Sequence, residues 1–221
     1  MAYTILWPIA YTGLQTGRII HGRCIMAIAH QQEKILETAR TLYNEKGPSA
    51  VSMRELAEAC GMAVGNLTYY YHRKEDLIRA IMQDAFITTK PEPPIHTLAD
   101  LNDQFSRMLD TIVRYAFYFL DDTFLQDQKD HNSAIQLRIL EGFEFLRAEG
   151  IFCSSFSREI QQQILSMLLL THLSWLRLKL RGGRSIPKDE FLRRHWLILR
   201  PYLTDRGRAE YENTLKDPPL I

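Results

Sequence analysis

Residues 52–73, SMRELAEACGMAVGNLTYYYHR, decide the fold of this chain. Ser52 precedes a helical pattern and has Glu55 three positions later, which is the spacing of a capping box at the start of a helix. Gly61 ends that helix, and a second short helical pattern begins at Val64. Two short helices joined by a tight turn form a helix-turn-helix, whose second helix can enter the major groove of DNA.

The second of these helices is predicted to have one inner and one outer face. At about 100° per residue, Leu67 and Tyr71 fall together, with Val64 nearby, and this face is expected to pack on the preceding helices. Gly65 and Tyr69 point the opposite way. Glycine allows a close backbone approach, and tyrosine hydroxyls reach phosphates, so the outer face is predicted to contact DNA.

The stretch GMAVGNLTYYYHRKEDLI, residues 61–78, resembles the G-V-S-K-G-x-L-Y-x-Y-F-x-x-K-E-x-L signature of the TetR/AcrR family of bacterial repressors. The likeness covers about residues 30–88 and includes ILETARTLYNEKG before the turn. The positions that match the signature are Gly61, Gly65, Leu67, Tyr69, Tyr70, Lys74, Glu75 and Leu77.

Three positions depart from the family pattern. Ala63 stands where the family usually has a serine N-cap, a loss that typically costs about 1 kcal/mol. Val64 replaces a lysine that often contacts DNA in relatives, and Thr68 replaces a frequent tyrosine, so we expect an unusual operator sequence. The resemblance implies a phosphate contact at Lys74. The predicted DNA-binding residues are Ser52, Arg54, Val64, Gly65, Asn66, Thr68, Tyr69, Tyr70 and Lys74.

The whole chain is predicted to be all-α. Gly47-Pro48 ends a first helical pattern that is clear from His30, and a fourth helix begins near Lys74. Lys90-Pro91-Glu92-Pro93-Pro94 marks a boundary, because three prolines in four residues cannot continue a helix. Long helical patterns follow at 97–125, 129–149, 157–181, 187–203 and 205–215. We predict a poorly patterned tail at 1–25, a helix-turn-helix DNA-binding domain at 26–90, and a helical effector-binding and dimerisation domain at 95–221.

Charge is uneven along the chain. Residues 27–90 hold eight basic and eight acidic residues, so the predicted DNA-binding domain is neutral and should bind DNA well only as a dimer. Residues 177–208 hold ten basic and three acidic residues, whereas residues 97–153 hold five basic and ten acidic ones. Such asymmetry is typical of solvated faces that attract one another, and a second nucleic-acid or lipid surface at 177–194 is the alternative.

Two roles are predicted for the larger domain. The segment 157–181 is apolar nearly all round, which is typical either of a central core helix or of a helix that also meets a second subunit. The family resemblance favours a homodimer interface there and on 187–203, formed by Leu168, Leu169, His172, Trp175, Leu176, Phe191, Trp196 and Leu199. A pocket for an unknown small-molecule effector is predicted around Phe105, Met108, Ile112, Tyr115, Phe119, His131, Glu141 and Phe143, although these aromatic residues could simply fill a core.

Several other classes find little support. No apolar stretch reaches the ~20 residues of a membrane span, and the first residues do not resemble a signal peptide, so we expect a cytoplasmic protein. Three cysteines at wide spacing form no disulfide framework, and His21, Cys24 and His30 match no metal-ligand spacing, so no cofactor is expected. No catalytic motif is present. The leading hypothesis is a homodimeric regulator, most simply a repressor, that binds a near-palindromic DNA operator; the alternative is a helical protein- or lipid-binding adaptor that has lost DNA recognition.

Overall fold

The structure, a computed structural model, describes residues 20–87, 93–121, 128–181 and 186–215. These ranges are helical with short connections, and the sheet-like pairing within them is a single bridge between Phe152 and Leu203. The all-α prediction, with an N-terminal helix-turn-helix unit followed by a helical bundle, is confirmed.

Four N-terminal helices form a unit that we call the head: α1 (Ile20–Lys46), α2 (Met53–Ala59), α3 (Val64–Tyr70) and α4 (Lys74–Ile87). Helix α1 buries Ile35, Ala39 and Tyr43 completely, at the spacing of one helix face. Helix α1 ends at Lys46. Gly47 follows with a φ of 81° that suits glycine, and Pro48 opens a 3₁₀ turn, as the Gly-Pro pair predicts. The buried face of α1 thus provides the base on which the shorter head helices pack.

The remaining helices form the bundle: α5 (Leu98–Arg114), α6 (Ala116–Leu120), α7 (Gln128–Ala148), α8 (Arg158–Arg181), α9 (Lys188–Leu199) and α10 (Asp205–Leu215). Helix α5 begins with a complete capping box between Thr97 and Asp100. The bundle has its own core of apolar and aromatic side chains contributed by α5 and α7–α10.

Three predicted helix boundaries were wrong. Helix α1 starts at Ile20, inside the poorly patterned segment 1–25 and before the helical pattern becomes clear at His30, because a helix can propagate through residues that contain no proline. The helix predicted at 187–203 ends at Leu199, and Pro201 lies in a 3₁₀ turn. The third concerns the predicted helix 97–125. Of the predicted domain boundary at 90–94, residues 90–92 lie outside the described residues.

The predicted helix 97–125 is divided at Tyr115 into α5 and α6. Tyr115 has φ −115° and ψ 38°, outside the helical region, although neither proline nor glycine is present to break the helix. The cause is tertiary packing, because Tyr115, Phe117 and Tyr118 are buried in the core of the head and not in that of the bundle. Helix α6 therefore follows α5 of the bundle in sequence, and its side chains Phe117 and Tyr118 are buried in the core of the head.

Tyr43 is buried in the core of the head, and its substitution tests this packing. Its hydroxyl is buried and has no hydrogen-bond partner among the described residues, and burial, with the negative charge of Glu75, raises its pKa well above the ordinary value. We expect Tyr43→Phe to keep or increase the free energy of unfolding at pH 7, by up to about 1 kcal/mol, because it removes an unsatisfied polar group.

The same variant gives a pH test. Above about pH 10 the unfolded chain releases the Tyr43 proton and the folded chain retains it, so wild-type stability falls with pH relative to Tyr43→Phe. Denaturant unfolding of both proteins between pH 7 and pH 11 measures the difference. A variant that is less stable than wild type at every pH would contradict this description of Tyr43.

Candidate nucleic-acid interface

The turn between α2 and α3 is fixed at both ends of α2. Ser52 Oγ accepts a hydrogen bond from the backbone N–H of Glu55 (3.1 Å), which confirms the predicted N-cap. The Glu55 carboxylate accepts from Lys46 Nζ (2.6 Å), and this contact lowers the pKa of Glu55 and raises that of Lys46. At the other end, Gly61 adopts φ 70°, and Lys34 Nζ donates to the carbonyl of Cys60 (3.3 Å).

Helix α3 has the inner and outer faces that its sequence predicts. Leu67 is fully buried, whereas Tyr69 is 81% exposed, and Gly65 and Asn66 are also exposed. Tyr70 is half-buried and packs edge-on against Tyr69, with ring centroids 5.5 Å apart. The outer face of α3, Gly65, Asn66 and Tyr69, is the candidate nucleic-acid interface.

The exposure of Val64 differs from the prediction for this helix. Its sequence position suggested the inner face, but 39% of the residue is exposed, because it lies in the first turn, where α3 has just emerged from the loop. The N-cap is Ala63, and it makes no side-chain capping bond, as the departure from the family pattern predicts. Val64 therefore lies where a partner of the outer face would meet it.

Two of the predicted contact residues already make bonds within the protein. Thr68 Oγ1 donates to the carbonyl of Gly65 (3.1 Å), so its hydroxyl oxygen is the group left to accept from a partner. Lys74 Nζ donates to the carbonyl of Pro48 (2.6 Å) and is half-buried. An ammonium has three donors, so this bond can hold Lys74 in place beside a phosphate. Ser52 and Arg54 are exposed at the start of α2.

The outer face is locally free of negative charge although the head is neutral. No acidic residue lies between Glu58 and Glu75 in the sequence. Three head carboxylates are paired with bases elsewhere on the head, in Arg40–Glu37, Lys46–Glu55 and Arg79–Asp76. Because the segment around α3 contains no acid and three of the eight head acids are paired elsewhere, the surface around α3 can accept a polyanion.

Sequence analysis missed the part of this surface that comes from α1. A groove beside α3 is lined by Gln31 and Lys34 of α1 together with Gly61, Met62, Asn66 and Tyr69. Lys34 is 26 positions from the Cys60 carbonyl that it bonds. No local spacing pattern could reveal a contact over that separation.

The predicted effector pocket is only partly assembled. Phe105 is fully buried and stacks on His195 (4.2 Å), and Phe143 is fully buried and packs on Phe152 and Phe156. Ile112 is buried and Met108 half-buried, both in the same core. These four side chains of α5 and α7 do come together inside the bundle.

The other predicted pocket residues are not inside the bundle core. Tyr115 is buried in the core of the head, and Phe119 lies between the two cores. Glu141 is exposed on α7, so its prediction as an interior polar group was wrong: the outer face of an amphipathic helix carries it. The side chain of His131 lies outside the described residues.

The predicted dimer-interface residues are mostly interior. Leu169 and Trp175 are half-buried, and the side chain of His172 lies outside the described residues. Five of the eight residues were wrongly assigned to a partner-facing surface because they fill the protomer's own core: Leu168, Leu176, Phe191, Trp196 and Leu199. The opposite face of the same helices instead exposes apolar side chains, namely Met167, Leu170 and Leu178 on α8 and Leu197 and Ile198 on α9.

The basic segment 177–208 makes many intramolecular contacts. Arg177 donates to the carbonyl of Phe119 (2.9 Å), Lys179 and Arg194 pair with Glu190, and Lys188 pairs with Asp110 (3.2 Å). Arg206 and Arg208 donate to backbone carbonyls. These bonds favour the interpretation that the segment holds the bundle together over the alternative of a second binding surface.

The described part of the chain shows neither a membrane-spanning helix nor a cluster of metal ligands. No helix there is both long and apolar enough to cross a membrane. Within the same ranges, no three histidine, cysteine or acidic side chains are grouped as metal ligands would be. His21 and Cys24 lie in α1, and their side chains are not among those that the structure describes.

Comparison with known protein families gives a sequence match within the head. Residues 35–81 match the model of the bacterial regulatory proteins, tetR family. The probable HTH-type transcriptional regulator YttP of Bacillus subtilis is 33% identical over 55 residues, which is 25% of this chain and 27% of YttP. The HTH-type transcriptional repressor KstR2 of Mycolicibacterium smegmatis is 25% identical over 56 residues, with the same coverage. The chain thus spans about a quarter of the length of the curated relatives it matches.

Structural comparison extends the likeness over both parts of the fold. A TetR-family transcriptional regulator from Marinobacter aquaeolei superimposes with a TM-score of 0.69 over 85% of this chain and 98% of that one, at 21% sequence identity. At that identity the match shows a shared fold. The fold and the exposed face of α3 define a two-part helix-turn-helix protein. The head thus carries the sequence match to the tetR family of bacterial regulatory proteins, and the chain as a whole shares the fold of a TetR-family regulator.

Gly65 provides a prediction about the outer face of α3. A Cβ built at Gly65 meets nothing within 4 Å, and the φ of this residue is not positive, so the fold of the isolated chain does not require glycine here. Alanine in a helix is favoured over glycine by about 0.5–1 kcal/mol, and we expect Gly65→Ala to raise the free energy of unfolding by about that amount. Thermal and denaturant unfolding measure this gain.

The same substitution should weaken DNA binding, because the added methyl group occupies the clearance over the helix backbone. Affinity for a bound DNA fragment, measured for both proteins, checks the second half of the prediction. Gly61→Ala is the control and should lower the free energy of unfolding, since the φ of 70° at Gly61 disfavours alanine. Unchanged DNA affinity in Gly65→Ala would show that no partner approaches this face closely.

Proposed function

We propose that this protein is a sequence-specific DNA-binding transcriptional repressor that acts as a homodimer in the bacterial cytoplasm, where it binds a near-palindromic operator. The observation that carries the proposal is the outer face of α3: Tyr69 is 81% exposed beside an open Gly65, on a helix held by a buried Leu67. Each subunit places α3 in a major groove, and Asn66, Tyr69 and Lys74 contact base edges and phosphates.

The relatives support the repressor role. KstR2 is described as a repressor and YttP as a probable regulator, and each matches this chain over a quarter of its length. The adaptor alternative has less support, because a chain that had lost DNA recognition would have no reason to expose a large aromatic ring beside an acid-free helix. The departures at Val64 and Thr68 then indicate a different operator sequence, and DNA recognition is retained.

A second copy of the chain is the partner that fits the exposed apolar face of the bundle. Met167, Leu170, Ser174 and Leu178 are all exposed and follow one another at helical spacing along α8, so they form a single stripe. Three of these residues are large apolar side chains that are more than 60% exposed. Such a stripe in a family whose regulators are generally dimeric supports a helix-on-helix contact between two subunits.

The bundle supplies the regulatory half of the proposal. A small-molecule effector binds among the bundle helices near Met108 and Ile112 and favours a bundle conformation in which the two heads are wrongly spaced for the operator. Effector binding and DNA binding then oppose each other through one equilibrium between conformations.

Tyr69 tests the DNA-binding proposal. Genomic fragments selected by the wild-type protein provide the DNA, and affinity is measured by anisotropy at several salt concentrations. We expect Tyr69→Ala to lower affinity by about tenfold or more, since a lost phosphate or base contact costs roughly 1–3 kcal/mol at each half-site. Tyr69→Phe, which lacks only the hydroxyl, should show a smaller loss of DNA affinity than Tyr69→Ala.

The matched control is Glu58→Ala, an exposed residue on α2 that should leave affinity nearly unchanged or slightly improved. Unfolding curves of the Tyr69 variants should overlay that of wild type because the side chain is exposed. Wild-type affinity in Tyr69→Ala would exclude the proposed contact face, and selection of no DNA at all by the wild-type protein would exclude the function itself.

Leu170 tests the dimer. We expect Leu170→Glu to convert a species of about twice 25.8 kDa into the 25.8-kDa monomer, because two carboxylates would be buried in the apolar stripe. Leu137→Glu is the matched control, since Leu137 is 52% exposed on α7, away from the stripe. Sedimentation equilibrium over a range of concentrations measures both; a dimeric Leu170→Glu variant would place the interface elsewhere.

A further inference from the structure

The break between α5 and α6 leaves backbone groups that one side chain of the head satisfies. Where a helix stops, carbonyl groups at its end and N–H groups at the start of the next helix lose their helical partners. Asn44 of α1 donates from Nδ2 to the carbonyl of Arg114 (2.9 Å) and accepts at Oδ1 from the backbone N–H of Phe117 (2.9 Å). A single amide thus bonds both sides of the break at Tyr115.

Other contacts surround the two hydrogen bonds of Asn44. Arg40 Nη1 donates to the same Arg114 carbonyl (3.2 Å), and its guanidinium lies 5.9 Å from the centroid of the Tyr115 ring. The ring of Tyr43 packs on that of Phe117, with centroids 5.4 Å apart. Helix α1 therefore holds the end of α5 by hydrogen bonds and α6 by aromatic packing.

Helix α6 is also tied to the bundle. Arg177 of α8 donates to the carbonyl of Phe119 (2.9 Å), so α6 is bonded to the bundle helix that carries the exposed apolar stripe. A displacement of α8 relative to α5 consequently reaches α1 through α6 and through the Asn44 bonds. Among the described residues, Asn44 is in the position where the angle between α5 and the head is set.

We infer that Asn44 is a positioning residue that fixes the orientation of the DNA-binding head on the bundle. It contacts no DNA; it determines where the head points. This inference rests on the proposed function for its consequence, because two heads can occupy one operator only if the dimer holds them at the operator's spacing. The bond arrangement itself does not depend on that function.

Two structural measurements test the inference without DNA, in the full-length protein. Asn44→Ala removes both bonds, and we expect exchange of the Phe117 amide to accelerate by about tenfold, the scale of one lost hydrogen bond. Backbone ¹⁵N relaxation should show a common tumbling time for head and bundle in wild type and a shorter one for the head in Asn44→Ala. Thr41→Ala is the matched control, as its exposed hydroxyl bonds only within α1, to the Glu37 carbonyl (3.0 Å).

DNA binding separates a positioning role from a merely structural one. With fragments selected by wild type, Asn44→Ala should bind a single half-site as wild type does and bind the two-half-site fragment about tenfold more weakly, because binding of the second head is no longer prearranged. A variant with a damaged α3 would instead bind both the half-site and the two-half-site fragment more weakly. Asn44→Asp, which keeps the acceptor for Phe117 and loses the donor for Arg114, replaces Asn44→Ala if the latter fails to fold.

Each outcome decides the question. Unchanged Phe117 exchange, or faster exchange with head and bundle still tumbling together, overturns the inference. Equal losses on half-site and full-site DNA also overturn it, since they would place the defect in the head itself. If the wild-type protein binds no DNA, the proposed function fails, while the exchange and relaxation data still decide the role of Asn44.

Discussion

The burial of one face of α1 is the constraint on which the DNA-binding surface depends. Helices α2 and α3 have seven residues each, far too few to be stable alone. They persist because Leu56 and Leu67 are fully buried in the same core as Ile35, Ala39 and Tyr43 of α1. Exposed side chains such as Tyr69 are held in a fixed direction only because the opposite side of their helix cannot leave this core.

The head could be predicted from the sequence almost completely because its signals are local. A glycine-proline pair, a serine three residues before a glutamate, and a glycine at the turn each act within one helical turn of where they stand. The inner and outer faces of α3 follow from periodicity over a few residues. Within α3 the prediction failed at Val64, where the helix begins and periodicity has not yet determined what covers the side chain.

The errors in the bundle share a different cause: each depends on residues that are distant in the sequence. Nothing in the stretch TIVRYAFYFL signals a break, and Tyr115 leaves the helix because its neighbours pack against α1, about 70 residues earlier. Likewise α8 is apolar nearly all round, so its pattern alone cannot say which side faces its own bundle. The structure assigns Leu168 and Leu176 to the core and Met167, Leu170 and Leu178 to the surface.

These two levels of organisation explain how a neutral head could serve the DNA-binding dimer that we propose. A head with equal numbers of acidic and basic residues gains little from non-specific attraction to phosphates, so each single encounter with DNA is weak. Strong binding then has to come from two heads that engage together, and its strength depends on how rigidly their relative orientation is held. In the proposed function, a weakly binding head and the Asn44 connection are complementary. Because one head alone binds weakly, a change in the bundle that alters head orientation would be enough to release the DNA.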